Sequence, residues 1–263
     1  MSDTTARVLY AIPAIVFAAF IVSQGGLIFA IGLILLALIC LHELYSMAER
    51  VMPVKLAGFI GVTGVILSAH YGDEFHVLLA LALCVPLTFV LSLLRPRREN
   101  VSWAVAMTLF GVLWIGVPLA LAVQLRELDH GGALVVATLV GTFIGDTCAY
   151  FAGRAWGRRP LAPLISPNKT LEGLVGGIAG GTFAFWVFMF GYHDWIPGGQ
   201  ALLIGFCVAL AAPLGDLFES LLKRDLDVKD TGKVFGAHGG ALDRLDAVFF
   251  TAVTAYYVSL AVL

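Results

Sequence analysis

An all-α polytopic membrane protein is the fold class this sequence predicts, with about nine transmembrane helices, the N-terminus in the cytoplasm and the C-terminus on the opposite side. Three observations carry that expectation. Of 263 residues, 60% are hydrophobic and only 13% charged, whereas a soluble domain usually carries about 25% charged residues. Apolar runs of about 17 to 25 residues, long enough to cross a hydrocarbon core about 30 Å thick, follow one another along the chain. If these runs alternate in direction, all of the 16 Lys and Arg residues except Arg126 fall in loops on one side. That is the pattern of the positive-inside rule, and losing or adding one span would scramble it.

The run near residues 8–24 lacks an Ala-x-Ala-like cleavage site and leads straight into the run near 26–45, so it reads as a retained helix. Runs near 54–70, 75–94 and 101–124 complete residues 1–130, which are expected to be mainly scaffold within a single integral membrane domain. Arg95, Arg97 and Arg98, in the loop between the fourth and fifth runs, read as topology determinants with some attraction to anionic lipid. The remaining runs, near 133–152, 173–192, 199–221 and 246–263, belong to the part expected to carry the chemistry, residues 131–263. Cys40, Cys84, Cys148 and Cys207 all lie inside apolar runs with no CxxC or Cys/His spacing, so they read as small buried side chains and not as disulfide or zinc sites. No sustained internal repeat supports a transporter built from duplicated halves.

Two cytoplasmic loops stand apart. GRAWGRRPLAPLISPNKTLEG joins the sixth and seventh runs, and KRDLDVKDTGKVFGAHGGALDRLD joins the eighth and ninth. Both mix Gly, cations and carboxylates, whereas loops on the far side, such as GYHDWIPGGQ, are nearly free of cations. Chemistry is therefore expected on the cytoplasmic face.

Ionisable groups inside spans are costly and default to functional candidates. Among them are Asp146 in the sixth run, Asp216 and Glu219 in the eighth, and Asp243 and Asp246 at the start of the ninth. Helical spacing puts Asp216, Ser220 and Lys223 on one face, and Asp243 and Asp246 on another. Because a single loop joins these two helices, the faces can meet as three carboxylates ringed by Lys223, Arg224, Lys229 and Arg244. Carboxylates suit hard cations such as magnesium, and the basic groups suit phosphate. The plainer alternative is that the acids pair with nearby cations and, at a helix N-terminus, complement the dipole. For Glu219 taken alone that structural role is the better reading. Gly239 and Gly240, after His238, allow close approach of a phosphate or simply form a turn.

The run Ser220, Lys223-Arg224, Lys229-Asp230, Gly232, His238-Gly239-Gly240, Asp243-Arg244 and Asp246 resembles the signature of phosphatidate cytidylyltransferases, also called CDP-diacylglycerol synthases. A second stretch agrees: Asp146, Tyr150, Gly153-Arg154 and Gly157, then Ser166-Pro167, Lys169-Thr170, Glu172-Gly173 and Gly176-Gly177. The resemblance covers about residues 141–250 in detail, and before that only the hydropathy and Glu43 of the second run match. Gly236-Ala237 stands where the family usually has Pro-Gly, and Ala241 where it has a larger aliphatic; neither change removes a charged group.

The resemblance implies that CTP and phosphatidic acid give CDP-diacylglycerol and pyrophosphate, on a homodimer in the bacterial cytoplasmic membrane. It also implies a requirement for Mg2+, with room for a second, monovalent cation such as K+. Metal binding would fall to Asp216 and Asp246, with Asp243 and Asp146 nearby. Lys223, Arg224, Lys229, Asp230, His238 and Arg244 would serve catalysis, and Ser166, Lys169, Thr170, Glu172, Ser220, Gly239 and Gly240 substrate binding. No nucleic-acid partner is expected. A CTP-dependent polyprenol or phytol kinase, and a cation or phosphate-ester transporter, are the alternatives. The first would favour a general base over surplus cations, and the second would place polar groups at mid-bilayer and on both sides.

Overall fold

In a computed structural model, which describes residues 3–95, 99–192, 194–232 and 239–263, long helices cover every predicted apolar run. Arg97, Arg98, Lys233 and His238 lie outside the described residues. Among the described residues, seven helices are long and apolar enough to cross a membrane: Gly26–Met47, Glu74–Leu93, Val101–Glu127, Gly131–Trp156, Leu171–Gly191, Gly198–Asp225 and Leu242–Val262. The other two runs form shorter apolar stretches. One is the 17-residue helix Lys55–Tyr71, and the other lies in the first helix, Asp3–Gln24, whose described side chains give the apolar stretch Ile12–Gln24. Large apolar side chains such as Leu35, Phe89, Phe183 and Leu203 stay exposed on these helices, as lipid-facing residues must.

The chain forms two compact units. The first comprises Met1–Gln124 together with Val228–Arg244, and the second Leu125–Asp227 together with Leu245–Leu263. The first unit holds α1 (Asp3–Gln24), α2 (Gly26–Met47), α3 (Lys55–Tyr71), α4 (Glu74–Leu93) and α5 (Val101–Gly111). A single π-helical turn, Val112–Gly116, runs on from α5 into α6 (Val117–Glu127), where the chain passes into the second unit. Tyr45 is fully buried at the centre of the first unit, its hydroxyl donating to the Thr108 carbonyl at 2.8 Å. Gly58 and Gly111 make room for it, since a Cβ at either position would meet the ring. Arg95 donates to the carbonyls of Met52 and Pro53 at 2.5 and 2.6 Å, so it braces the turn before α3.

The second unit holds α7 (Gly131–Trp156), α8 (Leu171–Tyr192), α9 (Gly198–Asp225) and most of α10 (Leu242–Val262). α7 and α8 pack antiparallel with their backbones almost touching. A Cβ on Gly145 would sit 3.2 Å from the Gly177 carbonyl, one on Gly173 would sit 2.9 Å from the Ala149 carbonyl, and one on Gly176 would strike Ala152. Small residues at such a seam let dispersion forces replace the hydrophobic drive that lipid removes. The loop joining α7 and α8 contains two short strands. β1 (Pro160–Ala162) and β2 (Ser166–Thr170) pair antiparallel, with Pro160 opposite Thr170 and Ala162 opposite Ser166.

Candidate active site

Three carboxylates converge in the second unit. Asp216 and Glu219 come from α9 and Asp246 from α10, and ligand oxygens of all three lie within 4.8 Å of one another. Glu219 is 1% exposed and Asp246 8%. The two helices meet closely here because position 215 is glycine: a Cβ there would run into the Asp246 carbonyl and the Ala247 Cα. Packing so many carboxylate oxygens together in an apolar protein requires compensating charge. Two lysines supply part of it. Lys169, from β2, lies 2.5 Å from Asp216 Oδ2, and Lys223, one turn further along α9, lies 2.8 Å from Glu219 Oε2. Ser220 Oγ is 3.5 Å from Asp216 Oδ1. Asp146, exposed on α7, is within Coulombic range of Asp216, Lys169 and Asp246.

The donor set fits a metal. Oxygen-only ligands without His or Cys suit a hard divalent cation and not a thiophilic one. Asp216 and Asp246, singled out from sequence, are thus brought together. Glu219, which reads from sequence as structural, is the third member of the group. Its signal was weak because a single acid one turn from a Lys looks like an ordinary i,i+4 pair, which it also is.

Around this cluster the β-hairpin is held by its own polar groups. Glu172 Oε2 accepts from the backbone N–H groups of Arg158 and Arg159 at 3.0 and 3.2 Å, and Oε1 accepts from Arg159 Nε at 3.3 Å. Thr170 Oγ1 accepts from Gly173 N at 3.1 Å, which makes Thr170 the cap of α8. Gly173, Gly176 and Gly177 belong to the seam with α7. Ser166 opens β2 and is half-buried, and Arg224 Nε donates to the Ile165 carbonyl at 3.3 Å, tying α9 to the hairpin.

The remaining predicted residues lie in the first unit, in the segment 228–244. Lys229, Asp230 and Arg244 are exposed. Asp243 Oδ2 accepts from Gly240 N at 2.7 Å, Thr231 N at 3.1 Å and Thr231 Oγ1 at 2.8 Å, so its carboxylate is engaged at the start of α10. Gly239 has φ +82°, a left-handed conformation suited to glycine, and turns the chain into that helix. Buried Glu43, from α2, takes the next two N–H groups: Ala241 N at 3.1 Å on Oε1 and Leu242 N at 2.9 Å on Oε2. The backbone N–H groups of Gly240, Ala241 and Leu242, which a glycine-rich loop could offer to a phosphate, are therefore engaged by the chain's own carboxylates. No sequence pattern pairs Glu43 with residues 198 positions away.

Comparison with known proteins follows the same outline. Residues 5–262 match the sequence profile of the Cytidylyltransferase family. The chain is 31% identical over 265 residues to a phosphatidate cytidylyltransferase of Bacillus subtilis (strain 168), covering 98% of each chain. It is 33% identical over 252 residues to one of Staphylococcus aureus (strain COL), covering 93% of this chain and 94% of that one. With one of Mycobacterium leprae it shares 34% identity over 168 residues, 63% of this chain and 53% of the other.

Proposed function

Since this chain belongs to the Cytidylyltransferase family, we propose that it transfers CMP from CTP to phosphatidic acid, giving CDP-diacylglycerol and pyrophosphate for phospholipid synthesis. The observation that carries this reading beyond family membership is the acidic cluster Asp216–Glu219–Asp246 with Lys169 and Lys223 against it. Carboxylates and cations side by side suit a reaction between two phosphate-bearing substrates.

An oxygen of the phosphatidate phosphate attacks the α-phosphorus of CTP. One P–O bond forms, the bond to the β-phosphate breaks, and pyrophosphate leaves with its electron pair. A phosphate monoester is already anionic near neutral pH, so positioning and charge neutralisation, not a general base, dominate the barrier. Asp216, Glu219 and Asp246 would hold Mg2+, which when bound supplies neutralisation of triphosphate oxygens and of the departing pyrophosphate. Lys169 and Lys223 keep the carboxylates compensated before substrate arrives and can turn to phosphate oxygens afterwards. Arg224, Lys229 and Arg244 would add donors for the two phosphate groups, with Asp146 and Asp243 as further metal candidates. Ser166, Ser220 and Gly239–Gly240 would serve substrate binding. Thr170 and Glu172 act by holding the hairpin that presents Lys169.

The same reading takes nine spans, an N-terminus and active site on the cytoplasmic side of a bacterial inner membrane, a homodimer, and a second, monovalent cation such as K+. The charge segregation of the loops and the resemblance of the motifs support it. The acyl chains stay in the bilayer while the head group reaches the cluster.

The test is purified protein in detergent with phosphatidate and CTP labelled at the α-phosphate. Label is expected in the lipid, lost on chelation and restored by Mg2+. Label entering lipid only from γ-labelled CTP would instead identify a lipid kinase, and no transfer from either would reject both.

A further inference from the structure

We infer that Glu43, on α2, is a positioning residue for α10: it fixes where that helix starts, and so where the turn bearing Asp246 stands. The inference rests on Asp246 being a metal ligand, as proposed above. A buried carboxylate on an apolar helix costs several kcal/mol unless its charged form is bonded. Glu43 is 3% exposed, and both of its oxygens are engaged. Ala241 N and Leu242 N are among the N–H groups at the start of α10 that have no partner within the helix and carry the positive end of its dipole. Asp243 takes the adjacent Gly240 N–H, and Thr231 Oγ1 reaches both carboxylates, at 2.8 Å to Asp243 and 3.4 Å to Glu43.

The surrounding chain is shaped to this carboxylate. A Cβ at Gly232 or at Gly240 would run into it. An ordinary cap comes from the residue preceding its helix and moves with it, whereas Glu43 anchors α10 to another helix. The consequence is geometric. Asp246 stands one turn beyond Leu242 on the same helix. A slip of one residue would move Asp246 about 1.5 Å along the axis and turn it by about 100°, well beyond the roughly 0.5 Å that a working metal constellation tolerates.

Glu43→Gln keeps the shape but leaves one acceptor and sets an amide NH2 against a backbone N–H. With Mn2+ as the probe and no substrate present, electron paramagnetic resonance on the purified variant should show affinity weakened about tenfold or more, the range found for groups that orient metal ligands. Turnover should fall in parallel, with KM for CTP within about twofold of wild type. Thr231→Val, which removes the hydroxyl shared by both carboxylates, is the milder variant. It should weaken Mn2+ binding by about fivefold, the equivalent of one hydrogen bond, and it decides the matter if Glu43→Gln does not yield folded protein. A lowered melting temperature with Mn2+ affinity unchanged in the folded variants would overturn the inference. Because the titration needs no turnover, its outcome is separate from that of the CTP assay: wild type that binds Mn2+ but makes no CDP-diacylglycerol would reject the proposed reaction and leave this comparison intact.

Discussion

Replacing the carboxylate of Asp216 or Asp246 by a carboxamide removes a charge and an anionic ligand oxygen with almost no change in size. A bound divalent ion supplies several kcal/mol of charge stabilisation in the transition state, and about 1.4 kcal/mol corresponds to a factor of ten. Asp216→Asn and Asp246→Asn are each expected to lower CDP-diacylglycerol formation by at least about a hundredfold while the protein still elutes as a folded species in detergent. Full activity in both would remove the metal assignment. Glu219→Gln should be comparably damaging, because Glu219 lies in the same group and is also the partner of Lys223. If Glu219 only held Lys223 in place, Glu219→Gln would shift the melting temperature and leave the Mg2+ requirement as it was. Asp216 and Asp246 were legible in the sequence because isolated acids in apolar runs are rare and costly. Glu219 was not, since its i,i+4 Lys already accounted for it, and burial to 1% is a tertiary property. Glu43 and Asp243 show the same limit: which N–H group a carboxylate engages depends on a partner far along the chain or on the local turn.

The α7–α8 hairpin presents Lys169, and its shape comes from features that composition does not reveal. The apolar runs located both helices to within a few residues. The same runs said nothing about which glycines face a neighbouring backbone, and the SPNKT segment, which contains a proline, read as loop although Ser166–Thr170 forms a strand. Gly177→Leu should disrupt the pair, since even a Cβ there would lie 2.9 Å from the Ala149 Cβ and 3.1 Å from the Gly145 carbonyl. Overpacking of this kind costs about 1–3 kcal/mol, visible as a lower melting temperature in detergent and as lost CTP turnover. Thr170→Val removes the cap of α8 and is expected to cost about 1 kcal/mol. Thr170→Ser, which keeps the hydroxyl, should restore both stability and turnover, whereas failure of Ser to rescue would mean that the methyl group, not the cap, matters.

Fold class was the most legible property of all, because hydropathy and the one-sided placement of Lys and Arg are properties of the entire chain. Orientation can be checked in a cysteine-free background. A cysteine placed at Asp230 should react with a membrane-impermeant thiol reagent only after the cytoplasmic face is opened, and one placed at Asp129 should react from outside in intact cells. The reverse pattern would invert the assigned topology. What the sequence could not convey is how the chain is threaded, with Val228–Arg244 belonging to the unit built mainly from Met1–Gln124.

That threading has a consequence for how the protein is made. Glu43 emerges from the ribosome early, but the N–H groups that receive its carboxylate belong to residues 198 and 199 positions later. At roughly 5–20 residues per second, a span of that length takes about 10–40 s to synthesise. Through that interval the N-terminal helices sit in the bilayer with an acidic side chain awaiting its partners, so Val228–Arg244, made late, completes the unit begun by Met1–Gln124.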